Sequence, residues 1–180
     1  MMMFKNIAYT TLTAALFAAG AAHAGAITIE GGTVDFTGEV VDPACTAVAS
    51  TPTVTLDPVS STLLASAGQP AGQQKDFSIT LQNCNTTVLK NVGITFNGTG
   101  DDTLPNALKN TASAGAATHV ALQLYGPDDQ ILALGSDSSI VAVQDGADTA
   151  IPFKVDYIAT DAAATAGSVA ATATFNINYS

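Results

Sequence analysis

Few residues in this 180-residue chain have the chemistry to be more than scaffolding. There are two cysteines, Cys45 and Cys84, a histidine well inside the chain, His119, and two adjacent acidic pairs, Asp101-Asp102 and Asp128-Asp129. A catalytic or metal-binding thiol requires a base or further ligands as companions, and these are lacking. A disulfide requires only a second thiol and an oxidising compartment. The bridge would close a loop of about 40 residues, to which the chain-entropy relation assigns roughly 4 kcal/mol. A lone histidine beside Val120 reads as a strand-edge or surface residue rather than a ligand or base. The acidic pairs sit in turns, where aspartate caps backbone amides, and the ligand spacing of a calcium loop is missing. Asn85-Thr86-Thr87 and Asn97-Gly98-Thr99 match the glycosylation sequon, but turn chemistry explains both. No G-x-S-x-G, H-E-x-x-H or phosphate-cradling glycine loop occurs. The expectation is therefore no enzyme, no cofactor and no metal.

The compartment follows from the start of the chain. Lys5 precedes a mostly apolar stretch over residues 7–19, and Ala22-His23-Ala24 supplies a small-x-small cleavage pattern. Residues 1–24 thus read as a secretory signal peptide. The apolar run is too short to span a membrane, and no other stretch approaches the roughly 18 to 20 residues required. A soluble chain without membrane insertion is expected. Starting at Gly25, it would hold 156 residues, which suits one domain. It keeps all 15 acidic residues against Lys75, Lys90, Lys109 and Lys154, a formal charge of −11, with no arginine or tryptophan. Four scattered lysines cannot neutralise a run of phosphates, which excludes a nucleic-acid partner. Both cysteines lie in the exported part, so they are expected to pair.

The elements that would carry these residues are strands. The last stretch, residues 167–180, places Val169, Ala171, Ala173, Phe175, Ile177 and Tyr179 on one face, with Ser168, Ala170, Thr172, Thr174, Asn176 and Asn178 on the other. Strict period-two alternation means a strand with one buried and one wet face. Such a long, charge-poor strand with no blunting Lys, Pro or bulge is an aggregation hazard if left as an edge, so coverage by another chain is expected. Residues 25–41 also alternate, Ile27 and Ile29 in one parity, Val34 and Phe36 in the other, with Gly31-Gly32 at the change. A segment of this strand character so near a mature terminus is built to pair with something. Between them, residues 53–58 read as a short strand ended by Pro58, and residues 60–74 as a loop. Phe77, Ile79 and Leu81 mark a half-buried strand that leads to Cys84, and Val92, Ile94 and Phe96 mark the next strand. Residues 101–117 read as a surface loop, Val120, Leu122 and Leu124 as a strand, residues 131–134 and 140–143 as short apolar runs, and residues 151–158 as a strand, with at most one helical turn over residues 160–166. Eight or more short strands with a turn every eight to twelve residues mean an all-β sandwich.

With these segments in place, the chain resembles subunits of chaperone–usher pili, in particular the major pilins of type 1 fimbriae. The resemblance runs over the whole mature chain. It is carried by the stretch from Gly31-Gly32-Thr33-Val34-Asp35-Phe36 through Pro43-Ala44-Cys45, by Leu81-Gln82-Asn83-Cys84, and by an end signature of penultimate Tyr179 with Gly167 fourteenth from the terminus. It implies an incomplete immunoglobulin-like β-sandwich that lacks its final strand and is completed by a donor strand from another subunit. It further implies a donor-strand extension over residues 25–38 ahead of a pilin domain over residues 39–180. By position, Gly32, Val34 and Phe36 would be donor residues, Gly32 standing where the family tolerates no side chain. Gly167, Val169, Ala171, Ala173, Phe175, Ile177 and Tyr179 would form the acceptor groove and chaperone-contact strand. The implied partners are neighbouring pilin subunits in a homopolymer, a periplasmic chaperone and an outer-membrane usher, and the implied destination is a surface fimbria supporting adhesion. Ile27 and Ile29 depart from the donor parity and would meet the neighbour's surface. Two other readings stand beside this one: a minor adaptor pilin, and a small secreted β-sandwich acting as a binding or adhesin module.

Overall fold

The computed structural model describes residues 45–49, 53–87 and 90–180. Among these, nine strands follow one another: β1 (Thr46–Ala49), β2 (Lys75–Gln82), β3 (Asn91–Gly98), β4 (Leu108–Lys109), β5 (Val120–Tyr125), β6 (Ile131–Leu132), β7 (Val141–Ala142), β8 (Thr149–Ala159) and β9 (Ala173–Tyr179). They form two sheets. The larger runs β1-β2-β8-β5-β4, with β6 also paired to β5; the smaller runs β7-β3-β9. Every ladder is antiparallel, as expected of a sandwich whose strands each hide one face.

The inner faces interdigitate into one core. Ile79, Leu81, Leu122, Leu124, Ile151, Phe153 and Val155 from the larger sheet meet Val92, Ile94 and Phe96 from the smaller. An aromatic cluster locks the two together. Phe96 stands edge-on to Phe153 at 5.0 Å between ring centroids, Phe77 stacks on Phe153 at 5.6 Å, and Phe96 lies 6.3 Å from Phe175 on β9, within the range of favourable ring pairing. Strand β5 is buried at all six positions, because its outer face is covered as well. There Ala121 packs with Ala107 and Ile158. The loop before β2 lies over the outer face of neighbouring β8, where the buried Asp156 carboxylate accepts from the backbone amides of Gly72 (2.8 Å), Gln73 (3.3 Å) and Tyr157 (2.8 Å). A buried carboxylate requires such donors.

Several boundaries differ from those expected of the sequence. The closing alternation is one strand only from Ala173 to Tyr179; residues 168–171 run beyond the end of β3 and bond instead to residues 110–117. Residues 53–58 form no ladder among the described residues, although Val54 and Leu56 are half-buried in alternation with exposed neighbours. The stretch 101–117 is less of a surface loop than its composition suggests, since it contains β4 with Ala107 and Leu108 buried. The helical turn lies at Ser61–Leu64, a 3-10 turn capped by Ser60, rather than over residues 160–166. Leu64 supplies the reason, as it anchors that turn in a small second core with Ala71, Ala117, Val120, Ala159 and Ala164. Residues 1–44, including the signal peptide and the alternating segment with Gly32, Val34 and Phe36, lie outside the described residues.

Cys45 and Cys84 form a disulfide across 39 positions of sequence, tying the start of β1 to the turn after β2. Both are buried beside the core. On reduction, the mass of the chain should rise by two hydrogens. Cys84→Ser should lower unfolding free energy by about 2–5 kcal/mol, read as a shift in the urea midpoint; an unshifted midpoint would show the bridge to be dispensable.

Candidate acceptor groove along the last strand

The last strand presents a repeating choice between two faces. From Val169 to Tyr179 every odd-numbered residue is half-buried and every even-numbered one exposed. The inward row Val169, Ala171, Ala173, Phe175, Ile177 and Tyr179 packs against the core without being enclosed by it. In ordinary sandwiches such a row is covered by the next strand over.

Backbone geometry gives the same answer by an independent route. Asn91 and Ser180 exchange both hydrogen bonds, at 3.2 and 3.0 Å, and Val92 faces Tyr179 in register. Hydrogen-bonded and non-bonded pairs alternate along an antiparallel ladder. The even-numbered residues of β9 therefore bond β3, and the odd-numbered ones direct their N–H and C=O groups to the opposite edge. Among the described residues no strand meets that edge. A row of aligned, unpaired donors and acceptors above half-buried apolar side chains is a template for another strand.

Facing β9 across a gap is the segment 53–59, with Val54 and Leu56 turned inward. Between the two lips lies a cavity of about 440 Å³, floored by Phe77, Phe96, Leu122, Leu124 and Val155 and walled by Ala173 and Phe175. A smaller cavity of about 170 Å³ continues the groove at its other end, between Val59, Leu64, Val120 and Tyr157 on one side and Gly167 and Val169 on the other. Both open the side of the core, and most of the side chains that line them are apolar.

The ends of the groove are fixed. A Cβ added to Gly167 would lie 2.3 Å from the Ala117 nitrogen and 2.6 Å from both the Ala116 carbonyl carbon and the Gly115 oxygen. All are backbone atoms that cannot step aside, so only glycine fits there. At the opposite end Tyr179 donates its hydroxyl to the Cys45 carbonyl at 3.4 Å, tying the strand's end to the disulfide. Burial pushes the Tyr179 hydroxyl above its ordinary pKa.

The structure thus brings together Gly167, Val169, Ala171, Ala173, Phe175, Ile177 and Tyr179 along one groove. Gly32, Val34 and Phe36 fall outside the described residues. Sequence reasoning did not find the floor residues Leu122 and Leu124 as part of the site, since alternation reports burial and not what a strand faces. It also missed Asn110, whose side chain bonds residues 168 and 170 from a stretch that reads as loop.

The residues singled out for chemistry are engaged otherwise. His119, at φ 57°, pairs through Nδ1 with Asp161. That hydrogen bond holds the Asp161 carboxyl below its ordinary range; the pair contributes stability above that range and loses it as pH falls through the lowered value. Asp101 accepts from the amides of Thr103 and Leu104, and Asp102 pairs with Lys109. Asp128 accepts from the Gln130 amide, and Asp129 pairs with Lys154. Among the described residues no cluster of side chains is arranged to hold a metal ion.

Comparison with known proteins points the same way. The model of the fimbrial protein family matches residues 34–180. The laminin-binding fimbrial subunit ElfA of Escherichia coli O157:H7 is 47% identical over 176 residues, covering 96% of each chain. Among solved structures, an antigen and type I fimbria protein of Burkholderia pseudomallei is 34% identical at a TM-score of 0.58, over 82% of this chain and 97% of its own. The P pilus rod subunit PapA, at 20% identity, shares the fold with a TM-score of 0.62, over 77% of this chain and all of its own.

Parity along β9 is directly testable. Phe175→Ala removes a half-buried ring from the groove wall and should cost about 2 kcal/mol, below the 3–5 typical of a fully buried phenylalanine. Asn176→Ser on the exposed face should stay within about 0.5 kcal/mol. Equal shifts of the two urea midpoints would overturn the face assignment.

Proposed function

We propose, from the premise that this chain belongs to the fimbrial protein family and is a structural subunit of a cell-surface fimbria, that it polymerises by strand exchange through the groove along β9. Other fimbrial subunits are its partners, and the donor is the segment 25–38 of a neighbouring copy. The observation that carries the reading is the open edge of β9, with its apolar row and unpaired backbone groups over a cavity of about 440 Å³. An incoming strand would satisfy both at once.

The donor presents Gly32, Val34 and Phe36 on its inward face. An antiparallel run beside β9 continues the pattern of every ladder in the domain and is the more stable pairing per residue. Phe36 is the largest inward side chain of that segment and suits the larger cavity, among Phe77, Phe96 and Phe175. In this register Gly32 lies toward Tyr179 and Gly38, at the donor's end, falls between the cavities, so that Val40, just past the donor, comes next to the smaller one of about 170 Å³. Burying Val34 and Phe36 contributes about 1.5–3 kcal/mol each, and each ladder hydrogen bond about 0.5–1.5.

The same groove makes the unassembled subunit hazardous, since it exposes a template edge and an open core. We therefore read the path to the surface as passing through the periplasm after removal of residues 1–24, with a chaperone strand covering the groove until an outer-membrane usher presents the next subunit's donor. The chain's role is structural rather than catalytic, in keeping with the commitment of His119 and the acidic pairs to ion pairs and caps.

Deleting residues 25–36 removes the donor and leaves the groove intact. Such a subunit should fold and be held by its chaperone, yet fail to join a neighbour. Electron microscopy of cells carrying only this variant should show no filaments; filaments of normal length would refute strand exchange by this segment.

A further inference from the structure

At the Gly167 end the acceptor segment outruns β3; Ser168 there donates to the Gly115 carbonyl (2.8 Å) and accepts from the Ala117 amide (3.0 Å), and one side chain joins these backbone groups as its neighbour. Asn110 donates from Nδ2 to the carbonyls of Ala117 (2.9 Å) and Ser168 (3.0 Å), while its Oδ1 accepts from the amides of Ala112 (3.1 Å) and Ala170 (3.0 Å). A side-chain amide offers two donors and an acceptor with two lone pairs, and all are used here. The network also fixes the amide's orientation, because a flipped group would set its hydrogens against two N–H donors.

The two bonds to Ser168 and Ala170 have a particular form. A neighbouring strand offers residues i and i+2 a donor for one carbonyl and an acceptor for the other amide, and the Asn110 side chain offers the same pair. The Thr111 amide extends the pattern to the Ala170 carbonyl at 2.8 Å. The covered edge of residues 168–170 is thereby occupied up to the end of the groove, which leaves the backbone groups of Val169 and Ala171 for the open edge. Val169 lines the smaller cavity.

We propose that Asn110 is a positioning residue for strand capture: its side chain stands in for a strand and holds residues 168–171 in acceptor geometry before the donor arrives. The inference rests on the strand-exchange reading above. Without Asn110 the segment keeps its backbone bonds to Gly115, Ala117 and Thr111 but the Ala170 amide loses its acceptor, so residues 169–171 leave acceptor geometry part of the time and capture is slowed by the fraction of molecules that are ready. Once a donor strand is seated, its own ladder orders the same residues. Release should then depend little on Asn110.

The test uses the chain from Gly25 onward, recovered from dissociated filaments and refolded, with a fluorescent peptide of the sequence of residues 25–41 in excess. Asn110→Ala should capture the peptide about tenfold more slowly, the equivalent of one or two modest hydrogen bonds. It should release the peptide at a rate within about twofold of the unaltered chain, since preorganisation acts on capture alone. Asn110→Asp keeps the acceptor but sets a carboxylate oxygen against the Ala117 and Ser168 carbonyls, so its capture should be at least as slow as that of the alanine variant; it serves as the reading if the alanine variant does not refold. Unchanged capture, or release accelerated by the same factor as capture is slowed, would overturn the role of Asn110, leaving the strand-exchange reading standing. An unaltered chain that takes up no peptide would overturn strand exchange, and this proposal with it.

Discussion

A β-strand must place its backbone donors and acceptors somewhere, and β9 has partners along only one edge among the described residues. The constraint is twofold because the two demands coincide on the same residues. The odd-numbered positions from Val169 to Tyr179 carry both the half-buried side chains and the backbone groups that point away from β3. Water can satisfy the backbone edge but does so at the expense of leaving an apolar wall wet. Only a strand settles both.

The remainder of the fold keeps that edge straight. The aromatic cluster of Phe77, Phe96 and Phe153 joins the sheets directly beneath the larger cavity, so the floor does not collapse inward to fill the space. The disulfide fixes the start of β1 next to the Tyr179 end. At the other end Gly167 packs on the backbone of residues 115–117 so tightly that no side chain is tolerated. Elements with no part in the groove, such as the buried Asp156 under the loop before β2, serve to bury the outer face of the larger sheet. Rigidity elsewhere is what allows one edge to remain open without the domain rearranging around it.

Much of this was legible in the sequence because it follows from period two. The alternation from Val169 to Tyr179 identified both faces correctly, and the two thiols identified their own partner. The end of that strand was not legible: alternation continues through residues 168–172, while the ladder to β3 stops at Ala173 because β3 itself stops at Gly98. A strand's length is set by its neighbour, which a single stretch of sequence does not contain. The segment 53–58 shows the reverse case. It has the pattern of a strand and no ladder among the described residues, since Val54 and Leu56 face the groove. Asn110 was invisible for a third reason, as an asparagine in a polar stretch is a turn residue on any local reading, and only the fold brings residues 168 and 170 to it.

The central claim is that another copy supplies the strand missing beside β9. A density map of the assembled filament at side-chain resolution measures this directly. The account predicts that residues 25–38 of a neighbouring subunit run antiparallel to β9, hydrogen-bonded to its odd-numbered residues, with Phe36 in the larger cavity. A groove filled by the subunit's own amino-terminal segment, or left vacant between stacked subunits, would contradict it.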